Sequence, residues 1–196
     1  MSTNSSTFPT VVAFAGPCRI AAGPLPDVAR VVRERLDAGE VEPVIVLDDE
    51  TAAPVDIDLR GTPEDVAARI LAEAAQPTER QAAGPGRPRL GVVSREVSLL
   101  PRHWEWLADQ PGGASATLRR LVEDARRTSA HTDRTRRARE ATWRFLHVMA
   151  GDRPGFEEAS RALFADRLDD LARIASEWPP DVRDHALRLA SRIAGG

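Results

Sequence analysis

The chain has 196 residues, is 42% hydrophobic and 29% charged, and carries a formal net charge of −3. A chain of this length forms one domain or two small ones, and the composition is that of a globular protein. No apolar run approaches the roughly 18 residues that span a bilayer, and residues 1–10 lack the features of a signal peptide. The single cysteine excludes an internal disulfide and a cysteine zinc cage. We therefore expect a cytoplasmic protein without membrane contact.

The N-terminal part predicts a disordered start over residues 1–10 and then a small α+β domain over residues 11–75. Apolar runs between turn residues predict four strands, at Thr10–Phe14, Arg19–Ala22, Val44–Leu47 and Val55–Leu59. Apolar residues at helical spacing predict one helix that Gly39 ends and a second that Thr62 caps, with Pro63 at its first position. The predicted order of elements is ββαββα.

An acidic turn, Asp48–Glu50, joins the last two of these strands. Together with Asp56 and Asp58 it offers the oxygen ligands that Mg²⁺ or Ca²⁺ prefers. The alternative is a solvated hairpin turn, which the absence of calcium-loop spacing favours. We therefore predict neither a metal nor another cofactor.

Residues 76–89 are predicted to form a linker, because they are too rich in glycine and proline for regular structure. Within it, Gly86-Arg87-Pro88, followed by Arg89, is similar to the core of the AT-hook, an arginine arm that lies in a narrow minor groove of DNA. A plain linker is the alternative interpretation.

Residues 90–130 follow as a separate segment. They predict a strand at Leu90–Leu100, a helix that begins at Pro101 and runs to about Asp109, and a second helix that Ser115 caps. This order resembles the ribbon-helix-helix module of bacterial repressors and antitoxins. The residues that carry the resemblance are Val97–Pro101, Trp104, Leu107, Gly113–Ser115, Leu118, Leu121 and Val122.

The resemblance implies a homodimer, because in that family the strands of two chains pair and enter the major groove. It implies that Ser98 and Leu100 face inward, and that Arg95, Val97 and Leu99 face the DNA. It also implies that the backbone N–H groups of Ala114 and Ser115 meet a phosphate, supported by Arg119 and Arg120. The competing interpretation is an ordinary strand in a single mixed core.

Charge is distributed unevenly along the chain. Residues 1–77 hold 6 arginines against 13 acids, residues 78–146 hold 14 against 8, and residues 147–196 hold 7 against 9. A basic middle suggests nucleic acid as a partner, and every cation is an arginine, whose planar fork suits phosphate. The densest stretch, His131–Glu140, contains Arg136 and Arg137; it is either a solvated helix surface with local ion pairs or a phosphate-binding face.

Residues 131–196 predict a helical region, and the sequence contains no convincing enzyme site. The expected helices are Arg134–Met149, one that begins at Asp152 and Pro154, Asp166–Trp178 and Pro180–Ile193. None of the 4 histidines lies within one helical turn of another, which excludes a helical histidine pair for zinc. Nucleophile-elbow, phosphate-loop and dinucleotide motifs are absent. We expect His103 and His147 to be packed or half-buried beside aromatic residues.

Taken over nearly its full length, the chain resembles an uncharacterised bacterial domain-of-unknown-function family, number 2239. The blocks that carry this resemblance are Val55–Gly61, Gly86–Val93, Leu99–Leu107, Gln110–Ser115, Met149–Asp152, Pro154–Glu158, Trp178 and Asp181–Leu187. The resemblance identifies relatives and implies no activity.

Together these patterns predict a DNA-binding regulatory protein that is not an enzyme, acts as a homodimer and contacts the phosphate backbone through its basic middle. The alternative is a non-enzymatic protein-interaction or adaptor protein whose acidic N-terminal unit binds a partner. Exposure of Trp104 or Trp106 would favour that alternative, because tryptophan anchors protein interfaces.

Overall fold

The computed structural model describes residues 8–75 and 95–195. Over these residues the three strands lie in the N-terminal part of the chain and the C-terminal part is helical, which confirms the predicted α+β class. The strands are β1 (Thr10–Ala15), β2 (Cys18–Pro24) and β3 (Val44–Asp48). The helices are α1 (Leu25–Asp37), α2 (Pro63–Ala75), α3 (Pro101–Ala108), α4 (Gly113–Ala150), α5 (Phe156–Phe164), α6 (Leu168–Ala175) and α7 (Pro180–Ala194).

The chain divides into two compact units. Unit 1 comprises residues 1–76 and 132–196, and unit 2 comprises residues 77–131. The sequence predicts residues 11–75 and 131–196 as separate segments. In the structure both belong to unit 1, except that residue 131 falls in unit 2. The predicted linker at 76–89 lies outside the described residues, as does most of the predicted disordered N-terminus.

The sheet of unit 1 is antiparallel and has the strand order β2-β1-β3. Its central strand β1 is buried from Val11 to Ala15. Because successive side chains of a strand point to opposite faces, a strand that is buried throughout needs a packing layer on each side of the sheet.

One face of the sheet is covered by the helix that follows it in the sequence. Val11 and Ala13 pack with Val28 and Val32 of α1 and with Val46 of β3. Helix α2 packs on α1 in turn. Its start is fixed by a reciprocal capping box, in which the backbone N–H of Thr62 donates to Asp65 at 2.9 Å and the backbone N–H of Asp65 donates to the Thr62 hydroxyl at 3.2 Å. The predicted cap at Thr62 is therefore confirmed.

The other face is covered by residues from the far end of the chain. Val12 and Phe14 belong to the larger core, which also holds the apolar faces of the second part of α4 and of α5, α6 and α7. The Phe14 and Phe145 ring centroids lie 5.7 Å apart. The main core is thus built from two parts of the chain that are distant in sequence.

The predicted strand at Val55–Leu59 does not form, although its alternation is present. Val55, Ile57 and Leu59 are half-buried while Asp56 and Asp58 are exposed, but pairing with β3 stops at an isolated bridge between Leu47 and Pro54. The physical reason lies in α2: Arg69 donates to the backbone carbonyls of Asp58 and Arg60, at 2.6 and 2.8 Å. Those carbonyl groups are used by a side chain rather than by a neighbouring strand.

The two helices predicted on either side of residue 130 are one continuous helix, α4. The stretch between them, Thr128–Asp133, contains polar residues but neither glycine nor proline. The hydroxyls of Thr128 and Ser129 donate to the carbonyls one turn earlier, at 2.9 and 2.7 Å, so they are accommodated within the helix. Because α4 crosses the boundary at residue 131, it contributes to both units.

His185 of α7 is buried between two aromatic rings in the main core. Its ring centroid lies 4.5 Å from that of Phe145 and 5.6 Å from that of Phe14. Burial, followed by the nearby charge of Arg188, lowers the pKa of His185 from 6.5 to about 4. The folded protein therefore holds this imidazole neutral at physiological pH.

His185 makes the stability of the fold depend on pH. Between pH 6.5 and about 4 the unfolded chain binds a proton that the folded chain excludes, so stability that is present above this window is lost as the pH falls through it. We expect a decrease of roughly 3 kcal/mol in the free energy of unfolding. Urea unfolding followed by tryptophan fluorescence at about pH 7.5 and about pH 4.5 measures it.

The variant His185→Leu should lose this part of the pH dependence, because its side chain does not titrate. The matched control is His147→Gln, since His147 is exposed and should leave the dependence unchanged. An identical fall with pH in wild type and His185→Leu would show that another group is responsible.

Candidate functional site

The described part of unit 2 presents arginines that no acid compensates. Arg95, Arg119 and Arg120 are exposed, and among the described residues no carboxylate lies within ion-pair distance of them. The Arg119 side chain donates only to the backbone carbonyl of Ser115, at 3.2 Å. By contrast, Arg126 and Arg127 both pair with Glu123.

The start of α4 supplies the predicted backbone donors. The helix begins at Gly113, two residues before the predicted cap Ser115, after Gly112 and Gly113 with φ of 85° and 73°. These left-handed conformations favour glycine and turn the chain from α3 into α4. Ala114 and Ser115 fall in the first helical turn, where backbone N–H groups have no partner within the helix.

Residues 95–100 form no strand within the chain. A ribbon strand is paired only in a dimer, so this observation in one chain leaves the ribbon-helix-helix resemblance a prediction. The other half of the predicted strand, residues 90–94, lies outside the described residues, as do Arg87 and Arg89.

Unit 2 also carries an apolar surface. Six large apolar side chains of residues 95–131 are 41–63% exposed: Val97, Leu100, Trp104, Trp106, Leu121 and Val122. Only Leu107 and Thr117 are buried in that range. We call these six residues the apolar face of unit 2.

Arg136 and Arg137 lie in unit 1 and differ from each other. Arg136 donates to Asp133 and to Glu140, each at 3.1 Å, and these hydrogen bonds raise the pKa of Arg136. Arg137 instead lines a cleft. The structure thus assigns the predicted site residues to two separate units.

The cleft in unit 1 has a volume of about 1020 Å³. It lies where the start of β1 and the acidic turn after β3 meet the second part of α4 and the end of α7. Its lining residues are Pro9, Thr10, Asp48, Asp49, Glu50, Thr51, Ala53, Arg134, Arg137, Ala138, Glu140, Arg144, Arg192 and Gly195. We call it the arginine cleft.

The acidic turn is not a freely solvated loop, because Asp48 and Asp49 are engaged by other groups of the protein. Asp48 Oδ1 accepts from the backbone N–H groups of Glu50 and Thr51 and from the Thr51 hydroxyl, at 2.7–3.1 Å. Asp49 binds the fork of Arg188 through both carboxylate oxygens, at 2.5 and 3.2 Å. Across the described residues, no cluster of His, Cys, Asp or Glu is suited to a metal ion.

Three arginines hold the turn against the C-terminal helices. Arg144 donates to the carbonyl of Thr51, and Arg192 donates to the carbonyl of Glu50 at 3.2 Å. Arg188 supplies the bidentate pair with Asp49, a geometry that fixes direction as well as distance. Residues 139 positions apart in sequence are thereby joined.

Two of the predicted histidines lie at the surface. His103 is exposed, so the expectation that it is packed or half-buried was wrong, whereas His147 is exposed but packs beside aromatic rings as expected. His103 lies on α3, where only Leu107 is buried. His147 stacks on Trp143 at the helix surface, with ring centroids 5.4 Å apart.

Sequence reasoning missed His185 as a core residue and Arg188 as the partner of the acidic turn. A signal for the first was present: Val182, His185, Ala186 and Leu189 follow helical spacing and are all buried. No local sequence pattern predicts the contact of Arg188 with the acidic turn, because its partner Asp49 lies in the N-terminal part of unit 1.

Comparison with known proteins gives a family and no function. The family model described as uncharacterised protein conserved in bacteria, DUF2239, matches residues 10–190, which confirms the resemblance seen in the sequence. No curated protein and no solved structure matches the chain. In the described part of the chain, no helix is both long and apolar enough to cross a membrane.

The pair between Asp49 and Arg188 should contribute measurably to stability. Asp49→Asn leaves the Arg188 guanidinium, whose side chain is 37% exposed, without its carboxylate. We expect the free energy of unfolding to fall by roughly 1–3 kcal/mol, measured by urea denaturation at neutral pH.

The matched control is Glu50→Gln, because Glu50 is exposed in the same turn; its effect should stay within about 0.5 kcal/mol. In an Arg188→Met background the effect of Asp49→Asn should shrink, since the partner is already gone. Full additivity of the two substitutions would argue against the pair.

Proposed function

We propose that this chain, which belongs to the DUF2239 family of bacterial proteins, is a DNA-binding regulatory protein that contacts DNA through unit 2. The observation that carries the proposal is the set of exposed arginines, Arg95, Arg119 and Arg120, that have no acid partner among the described residues. Cations that are not neutralised within the protein remain available for phosphate, and each phosphate contact releases counterions.

The arginines of unit 1 provide the contrast. Many of them are held in ion pairs, for example Arg30 with Glu34, Arg33 with Asp37 and Arg161 with Glu158. Arg119 and Arg120 stand within two turns of the α4 start, where free backbone N–H groups and the helix dipole also favour an anion. The side-chain and backbone donors thus support the same ligand.

We further propose that unit 2 acts as a homodimer, with its apolar face covered by a second copy. These tryptophan, leucine and valine side chains are 41–63% exposed. Covering them in a dimer would stabilise the complex by about 25 cal/mol for each Å² of apolar surface buried. The ribbon-helix-helix resemblance favours a second copy as the occupant, because the ribbon of that module is formed by strands of two chains.

DNA binding is tested by fluorescence anisotropy with a random-sequence duplex at about 50 and about 150 mM salt. We expect binding that weakens steeply with salt. In the double variant Arg119→Ala/Arg120→Ala, affinity should fall at least about tenfold and the salt slope should decrease by about 2, one for each lost phosphate contact.

The control is Arg126→Ala/Arg127→Ala, which removes the same number of charges from the same helix but from residues that pair with Glu123. Its effect should be clearly smaller. No binding at low salt, or an equal loss in both variants, would remove the proposed contact surface.

The dimer is tested by light scattering after gel filtration. A mass near twice 21.4 kDa is expected, and Val122→Glu should shift it towards the monomer, because a charge would then lie in the apolar face. A wild-type protein that stays monomeric at micromolar concentration would contradict the ribbon form of the proposal.

A protein-interaction function is the second candidate, and exposed tryptophans favour it. Trp104 is 41% exposed and Trp106 is 51% exposed, and such residues commonly anchor interfaces. This candidate predicts a monomer without affinity for DNA. It would be established if the wild-type protein is a monomer that does not bind DNA but captures a protein partner, and if Trp104→Ala/Trp106→Ala abolishes that capture.

A further inference from the structure

The arginine cleft of unit 1 holds cations that the fold does not use. Arg134 and Arg137 are exposed, and among the described residues neither has a carboxylate within ion-pair distance. On α4, Arg137 follows Arg134 by three residues and Arg144 follows Arg137 by seven, so the three side chains lie along one side of the helix. We call these three residues the arginine stripe. Arg144 is held by a carbonyl oxygen rather than by an acid, so its charge is also not neutralised.

Most of the carboxylates in the cleft are already engaged. Asp49 pairs with Arg188 and Glu140 pairs with Arg136, while Asp48 Oδ1 is occupied by three donors of its own turn. Asp48 and Glu50 are therefore the lining carboxylates without an ion pair among the described residues, against the unpaired Arg134 and Arg137 and the carbonyl-held Arg144. A group with two negative charges and several acceptor oxygens, such as a phosphate monoester, matches guanidinium forks on this stripe.

The same cleft also contains carboxylate oxygens that can accept hydrogen bonds. Within the described chain, the second carboxylate oxygen of Asp48 and the carboxylate of Glu50 accept no hydrogen bond. These acceptors suit hydroxyl donors on the body of a ligand. A phosphate at one wall and hydroxyls at the other wall describe a phosphorylated sugar or polyol.

The size and the lining residues of the cleft restrict the class of ligand further. Its volume of about 1020 Å³ is at the upper end of the range for small-molecule sites. None of the described residues that line it is aromatic, so they offer no ring on which a base could stack. The carboxylates of Asp48 and Glu50, which have no ion pair among the described residues, would repel the continuous phosphate backbone of a duplex, whereas a small ligand needs to bring its phosphate only to the arginines.

We infer that the arginine cleft binds a small phosphate monoester whose body carries hydroxyl groups, in the chemical class of the sugar phosphates. Arg134 and Arg137 hold the phosphate, and Glu50 accepts from the hydroxyls. The site lies entirely in unit 1 and does not depend on the DNA contact proposed for unit 2.

The test is isothermal titration calorimetry on the full chain with ribose 5-phosphate, glucose 6-phosphate, inorganic phosphate and unphosphorylated ribose. We expect at least one sugar phosphate to bind at least about tenfold more tightly than inorganic phosphate, and ribose not to bind. Arg134→Ala/Arg137→Ala should weaken that binding at least about tenfold. Both side chains are exposed, and an unchanged unfolding transition confirms that the variant folds.

Two controls separate the contributions. Arg126→Ala/Arg127→Ala removes two charges from α4 outside the cleft and should leave sugar phosphate binding unchanged. Glu50→Gln should weaken sugar phosphate binding and leave inorganic phosphate binding unaffected, since only the hydroxyl contact is altered.

Three outcomes would overturn the inference. They are equal affinity for inorganic phosphate and both sugar phosphates, full binding in Arg134→Ala/Arg137→Ala, or no binding of any small phosphate at millimolar concentration. In the last case, loss of duplex binding in the same variant would assign the stripe to DNA instead. Absence of DNA binding by wild-type protein would remove the proposed function and leave this site standing.

Discussion

Burial of β1 on both of its faces is the constraint from which the rest of unit 1 follows. Val11 and Ala13 point to one side and Val12 and Phe14 to the other, and none of the four is exposed. Helix α1 follows the hairpin directly and covers one side. The other side needs apolar surface that the N-terminal part does not possess, so it is supplied by the C-terminal helices.

The same arrangement determines where charge remains. The C-terminal helices bring Arg144, Arg188 and Arg192 to the acidic turn at the edge of the sheet, where carbonyl groups and Asp49 receive them. Part of the acidity of the N-terminal region is thereby used in holding the fold together. Arg95, Arg119 and Arg120 of unit 2, and Arg134 and Arg137 of the α4 stripe, have no carboxylate partner among the described residues, so the formal charge of −3 conceals locally basic surfaces.

The elements that depend on local chemistry could be predicted from the sequence. Alternation and helical spacing located β1, β3 and α7, and the Thr62 cap is a property of four adjacent residues. The prediction that failed depended on a distant group: the predicted strand at Val55–Leu59 has the carbonyl of Asp58 taken by Arg69. In the candidate site, the exposed Arg119 and Arg120 followed from their positions on α4. The arginine cleft did not, because α4, α7 and the acidic turn converge only in the folded chain.

Unit 1 is discontinuous, since residues 77–131 separate its two parts. A ribosome releases the chain from its N-terminus, and domains commonly fold as they emerge. Here the sheet leaves the ribosome with Val12 and Phe14 uncovered, and that apolar side stays bare until the second part of α4 and the helices after it have been synthesised. Folding of unit 1 is therefore a late event in translation, and a ribosome that stalls after residue 131 holds a nascent chain whose apolar surface only a chaperone can shield.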